Sequence, residues 1–153
     1  LSDTDHLWGI GGDSTWVWKT VLRGLNPIFM DPYDGAVLVG RETPEYETAR
    51  IAMGQVLALS RRIDLAHSTP RNELSSTGYC LAEPGVSYVV FAPEGGAVDV
   101  DLTATDGLLR VEWMHPATGE SATVETVPGG AWHRFTAHAG EPVVLLIRNA
   151  SPK

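Results

Sequence analysis

The sequence predicts an α+β protein with its helices gathered at one end. Three observations lead there. Residues 1–68 carry helix-period apolar stripes with only short apolar runs between them, residues from 69 onward switch to period-two alternation, and turn residues recur through that second half. The expected division is therefore a helical segment over 1–68 and an antiparallel β-sandwich over 69–153.

The first helix has marked ends in "GDSTWVWKTVLRGLNP". Asp13 is placed to accept a free backbone N–H at the start. Trp18, Val21, Leu22 and Leu25 fall at i, i+3, i+4 and i+7, and Gly24 and Pro27 mark the end. The run "IFM" that follows has the length of a buried strand, and a strand apolar on both faces suits a parallel sheet. A second helix starts at "TPEYE", with Thr43 as cap and Pro44 in the first helical position. Ala49, Ala52, Met53, Val56, Leu57 and Ile63 form its stripe. Arg61 and Arg62 suit the negative end of its dipole, and the expected end lies near residue 65.

In the second half, Val98, Val100 and Leu102 alternate with Asp99 and Asp101. Leu109, Val111 and Trp113 alternate with Arg110 and Glu112. Such alternation predicts one buried and one wet face. Seven strands are expected near 77–83, 87–92, 97–103, 108–115, 121–127, 132–137 and 142–148, separated by "EPGV", "PEGG", "TDG", "PATGE", "PGG" and "AGEP".

Composition narrows the function classes. The chain has 153 residues, 43% hydrophobic and 20% charged, in the range of globular proteins. A net charge of -8 with 11 Lys+Arg gives little support for a phosphate-binding surface, so nucleic acid is not an expected partner. No apolar stretch is long enough for a membrane-spanning helix, and no membrane partner is expected. Cys80 is the single cysteine, so no intramolecular disulfide can form; it reads as a small buried apolar residue.

The motifs resemble a known family. "SDTDHLWGIGGD..WVWK..LRG.NPIFMDPYD", a helix, then "STGYCLAEPG..Y.V..PEGG" are similar to the C-terminal portion of glycoside-hydrolase-like β/α-barrel proteins. In that family a small β-sandwich, labelled a collagen-binding domain of a collagenase, follows an eight-stranded barrel. The resemblance implies that residues 1–68 are a remnant of about two β/α units, entered at the end of the seventh strand and packed on the sandwich of 69–153. "LSDTDH" would be the loop after strand seven, and "PIFMDPYDG" strand eight and its loop. A full barrel takes about 250 residues, so these 68 cannot close one. The chain alone is then expected not to be an enzyme, its parent being a glycoside hydrolase. Such proteins are often exported, which implies a secreted or periplasmic location.

On that resemblance the candidate catalytic residues of a complete barrel are Asp3 and Asp5, since active sites of barrels lie in the loops after the strands. Glycoside hydrolysis usually takes two carboxyl groups, about 5–5.5 Å apart for retention or roughly 6.5–9.5 Å for inversion. Two aspartates one residue apart on an extended segment point to opposite sides, so the second carboxylate is expected from an earlier strand. Their other reading is local: they pin the loop through backbone hydrogen bonds. His6, Trp8, Asp31 and Tyr33 are candidate binding residues. Asp31 and Asp34-Gly35 also read as turn chemistry. Among the other aromatics, Trp16, Trp18 and Trp113 read as core, and Trp132, beside "PGG", as an exposed contact.

Other chemistry is weakly supported. Leu7 occupies a ligand position of the calcium loop, and no His-x-x-x-His or paired-cysteine spacing occurs, so no metal and no cofactor are expected. Gly9 and Gly11 match two positions of the dinucleotide fingerprint, but Ser14 replaces the third glycine. Around Ser14 a nucleophile elbow would need glycine on both sides, and Trp16 stands where the second would be. The sandwich is expected either to be structural, covering the outer helices of the barrel, or to bind carbohydrate or collagen. A second copy, or a chain supplying the missing barrel elements, is expected on the helices, because large apolar faces are rarely left bare.

Overall fold

The computed structural model describes residues 2–3, 12–29 and 44–150, and for 2–3, 44–46 and 122–124 it describes the main chain only. Among the described residues the fold is α+β, with two α-helices and mostly antiparallel sheets.

The N-terminal part begins with β1 (Ser2–Asp3), continues through α1 (Ser14–Leu22) to β2 (Pro27–Ile28), and ends in α2 (Pro44–Leu59). β1 and β2 pair in parallel, Ser2 with Pro27 and Asp3 with Ile28. α1 is capped as its sequence predicts: the Trp16 N–H donates to Asp13 Oδ1 at 2.8 Å. At the other end Gly24 takes φ 73°, and the Leu25 N–H reaches back to the Thr20 carbonyl at 3.2 Å, which closes the helix with a left-handed residue. Trp18, Val21 and Leu22 are buried, but Leu25 lies past that cap and is exposed. α2 starts at Pro44 as expected and stops at Leu59, short of residue 65, so Arg61 and Arg62 lie beyond its last turn. Its buried stripe is Ala49, Ala52 and Leu59; Leu57 is turned outward. The "IFM" run gives only the two-residue β2, with Ile28 exposed.

All seven expected sandwich strands are present: β4 (Cys80–Glu83), β5 (Ser87–Ala92), β6 (Gly95–Asp101), β7 (Leu108–Met114), β8 (Ser121–Pro128), β9 (Trp132–Ala139) and β10 (Val143–Asn149). A short β3 (Thr69–Pro70) and a 3-10 turn at Asn72–Leu74 precede them. Six strands form one sheet in the order β3-β4-β5-β10-β7-β8, and β6 and β9 pair across from it.

The six-stranded sheet is covered on both faces. Cys80, Tyr88, Val90, Leu109, Val111, Leu145 and Ile147 face Val98, Val100, Leu102 and Phe135 of the β6-β9 layer. The opposite face, with Leu81, Val89, Phe91, Met114, Val144 and Leu146, packs on Val17, Trp18 and Leu22 of α1 and on Ala49, Ala52 and Leu59 of α2. The molecule is thus three layers, helices on sheet on sheet. The expected wet face of the central strands is instead a second core: β5 is buried along its whole length. Alternation survives on β6, at the outside of the stack.

Candidate functional site

The parallel ladder of β1 and β2 is the only place where the candidate site residues touch the described structure. Asp3 ends β1 opposite Ile28, which ends β2, and because the strands run the same way both leave from one end. Asp5, His6, Trp8, Asp31 and Tyr33 lie outside the described residues, as does the Thr43 cap; of Asp3 only the main chain is described.

Aromatic and polar side chains couple the helical layer to the sandwich. Trp18 stacks on Phe91 with ring centroids 6.5 Å apart, and its Nε1–H donates to the Pro116 carbonyl at 3.0 Å. Gln55 of α2 donates through Nε2 to the Thr118 carbonyl in the β7–β8 turn at 3.0 Å. Arg23, just past α1, lies 4.8 Å over the Tyr79 ring.

The strongest electrostatic feature is a buried carboxylate, Glu112 on β7. Arg62, beyond the end of α2, donates to its Oε2; Arg110 and Arg148 reach its Oε1 at 3.1 and 3.4 Å. Burial pushes the Glu112 carboxyl up. The hydrogen bond and charge of Arg62, the charge of Arg148 and the hydrogen bond of Arg110 outweigh it, and the group titrates below its ordinary value. Arg148 also donates to the Arg62 carbonyl at 3.3 Å. The cluster therefore fastens the tail of α2 to the central sheet. The alternating pattern assigns Glu112 to solvent; in the structure Arg62, from the segment after α2, and Arg110 and Arg148 of the sheet gather round it.

Cys80 is fully buried, and burial pushes its thiol up to about 12, so it stays protonated and inert. Tyr88 is buried too, its hydroxyl accepting from the Gly85 N–H and bonded to Thr105 Oγ1, both at 2.9 Å. Trp113 is half-buried against Phe135, and Trp132 is 53% exposed. No group of three or more His, Cys, Asp or Glu able to hold a metal occurs among the described residues.

A cavity of about 680 Å³ opens where β9 stands over β7 and β8. Trp113, Val127, Phe135 and Val143 give it apolar walls. Glu120, Glu125 and Glu141 line it, and His133 Nε2 is buried there without a hydrogen-bond partner. The sequence signal for it was slight. His133 and Glu125 are each in phase with apolar neighbours, Phe135 and Val127, but neither type reads as inward-facing by itself.

No protein-family model matches the chain, and no curated protein matches it in sequence. Solved structures do resemble it in fold. A glycoside hydrolase superposes with a TM-score of 0.71 at 14% identity, over 93% of this chain and 38% of its own. A glycoside hydrolase family 5 protein from Bacteroides vulgatus superposes with a TM-score of 0.69 at 13% identity, over 91% of this chain and 36% of its own. The class that these neighbours define is a fold shared with part of glycoside hydrolase chains. The chain spans little more than a third of their length.

Proposed function

We propose that this chain corresponds to the C-terminal part of a carbohydrate-active, glycoside-hydrolase-like barrel protein, with residues 1–68 as its last two β/α units and residues 69–153 as an accessory sandwich. The observation that carries this is the parallel β1-β2 ladder joined through α1. Parallel pairs belong to larger sheets covered by helices on their faces, and two residues per strand cannot sustain one alone. The glycoside hydrolase neighbours, matched over a minor part of their length, support the same reading.

On this reading Asp3 and Asp5 belong to the catalytic rim of the complete barrel, with His6, Trp8, Asp31 and Tyr33 as binding residues on the same rim. The chain alone does not catalyse. The sandwich acts structurally, its central sheet serving as the floor on which the outer helices rest. The exposed Leu25, Ile28, Ile51 and Leu57 are the surface that the remaining barrel elements cover. Without them, the chain self-associates through those residues; a compact monomer at high concentration in sedimentation velocity counts against that.

The test is the intact mass of the natural product, followed by glycoside cleavage. A product well above 16.5 kDa that hydrolyses aryl glycosides, and loses at least ~100-fold in rate on Asp3→Asn, Asp5→Asn or Asp31→Asn, is the expected result. A natural product of 16.5 kDa, or hydrolysis untouched by all three substitutions, overturns the proposal.

A further inference from the structure

The two layers of the sandwich are unequal, six strands against two, and the shortfall lies on one side. Beyond β6 the layer is closed: Ser76 N–H donates to the Asp99 carbonyl at 2.9 Å, Asp99 N–H donates to Ser76 Oγ at 2.9 Å, and Ser75 bridges Val100. Beyond β9 no strand is paired among the described residues. The missing neighbour would lie over the inner face of β7 and β8, where the cavity is.

The register says which groups are free. Asp99 turns its N–H and C=O to Ser76, away from β9, so its partner Arg134 also points its backbone groups away from β6. By the same alternation so do Trp132 and Thr136, paired with Asp101 and Ala97. Arg134 and Thr136 line the cavity, as an open strand edge would. Other edges are guarded. β3 is two residues long and contains Pro70, and β8 ends on Pro128 and pairs through a register shift at Glu112/Trp113. β9 has eight residues and no proline, and its one arginine is neutralised by a two-bond pair with Asp99 at 2.7 and 2.8 Å.

Charge identifies the occupant. Glu120, Glu125 and Glu141 line the cavity, and among its described lining residues the one Arg or Lys, Arg134, is committed to Asp99. Trp113, Val127 and Phe135 offer an apolar pocket beneath the free edge, and His133 Nε2 offers a buried polar atom. We propose that the open edge of β9 and the cavity beside it bind an extended basic peptide segment. It adds as a third strand to the β6-β9 layer, inserts an apolar side chain against Trp113 and Phe135, and presents Lys or Arg to the three glutamates. This goes beyond the barrel reading and does not depend on it.

The probe is a labelled, end-capped eight-residue peptide alternating lysine with valine and phenylalanine, titrated into the 153-residue chain at low salt. Fluorescence anisotropy should show saturable binding, and the amides of Trp132, Arg134 and Thr136 should gain protection from hydrogen exchange. Methylating alternate peptide nitrogens, exchanging the lysines for glutamates, or introducing E120K and E141K together at two exposed positions should each weaken binding at least tenfold. No binding at millimolar peptide overturns the proposal, as does equal binding of the methylated peptide. Protection of those three amides by self-association or by a neutral oligosaccharide, with the peptide unable to compete, assigns the edge to a second copy or a glycan instead and equally overturns it.

Discussion

The two faces of the central sheet have different histories in the sequence. Its inner face meets β6 and β9, strands only a few residues away along the chain from those they cover. Its outer face meets helices that come from the other end of the protein. The inner core is built from residues 74–147 alone, whereas the outer core needs both halves. A sandwich with its own core holds the helical part in place, and the helical part leaves apolar residues uncovered on its far side. The difference implies that the outer core is the weaker joint, and substitutions on the two faces can test it.

The largest effect is expected at Trp18. Trp18→Ala removes the stack on Phe91 and the bond to the Pro116 carbonyl, and opens a hole in the outer core. The expected loss is about 3–5 kcal/mol in the helical layer. Amides of α1 and α2 should then exchange rapidly while those of β5 and β10 stay protected. Equal loss in both sets would show that the two cores melt as one unit.

Glu112 comes next, since it ties the tail of α2 to the sheet. Glu112→Gln keeps the shape and removes the charge that three arginines share, and should cost about 2 kcal/mol. The pH dependence has a definite direction. The folded group titrates below its ordinary 4.5, so its contribution is fully present above that value and is lost as pH falls through the folded one. Urea midpoints measured down through this window should fall more steeply for the wild type than for Glu112→Gln.

On the inner face, Tyr88→Phe leaves the Gly85 N–H and Thr105 hydroxyl without their shared partner. About 1–2 kcal/mol is expected, lost uniformly in a single transition, because the inner core belongs to the sandwich alone. A selective loosening of the helices by this substitution would break the distinction between the faces.

Local rules written in neighbouring residues were legible. The Asp13 cap, the Gly24 stop, Pro44 at the head of α2 and the seven strands with their turns can all be read from spacing. What failed depended on partners far along the chain. The period-two pattern cannot say that a distant segment carrying Arg62 closes over the polar phase, so it gives Glu112 a wet face. Spacing alone puts Leu57 on the α2 stripe and leaves Leu59 off it, whereas Leu57 is exposed and Leu59 buried, because the sheet rather than the helix decides which residues face it. The candidate site was legible only as residue types. Asp3, at the end of β1, is the one such residue whose main chain is described.

The smallest predicted effect isolates the helical layer without touching either core. Asp13 is exposed and acts through one contact, the acceptance of the Trp16 N–H at 2.8 Å. Asp13→Ala leaves that donor to water and removes a negative charge from the positive end of the helix dipole, for about 1 kcal/mol. Asp13→Asn restores the acceptor but not the charge, so it should recover most of the loss. If the helical layer is the weaker joint, even this deficit should appear as faster exchange in α1 with no change in β5 or β10. A loss shared evenly with the sandwich strands would mean that the helices and the inner core form one cooperative unit, and that the open far side of the helical layer does not weaken its hold on the sheet.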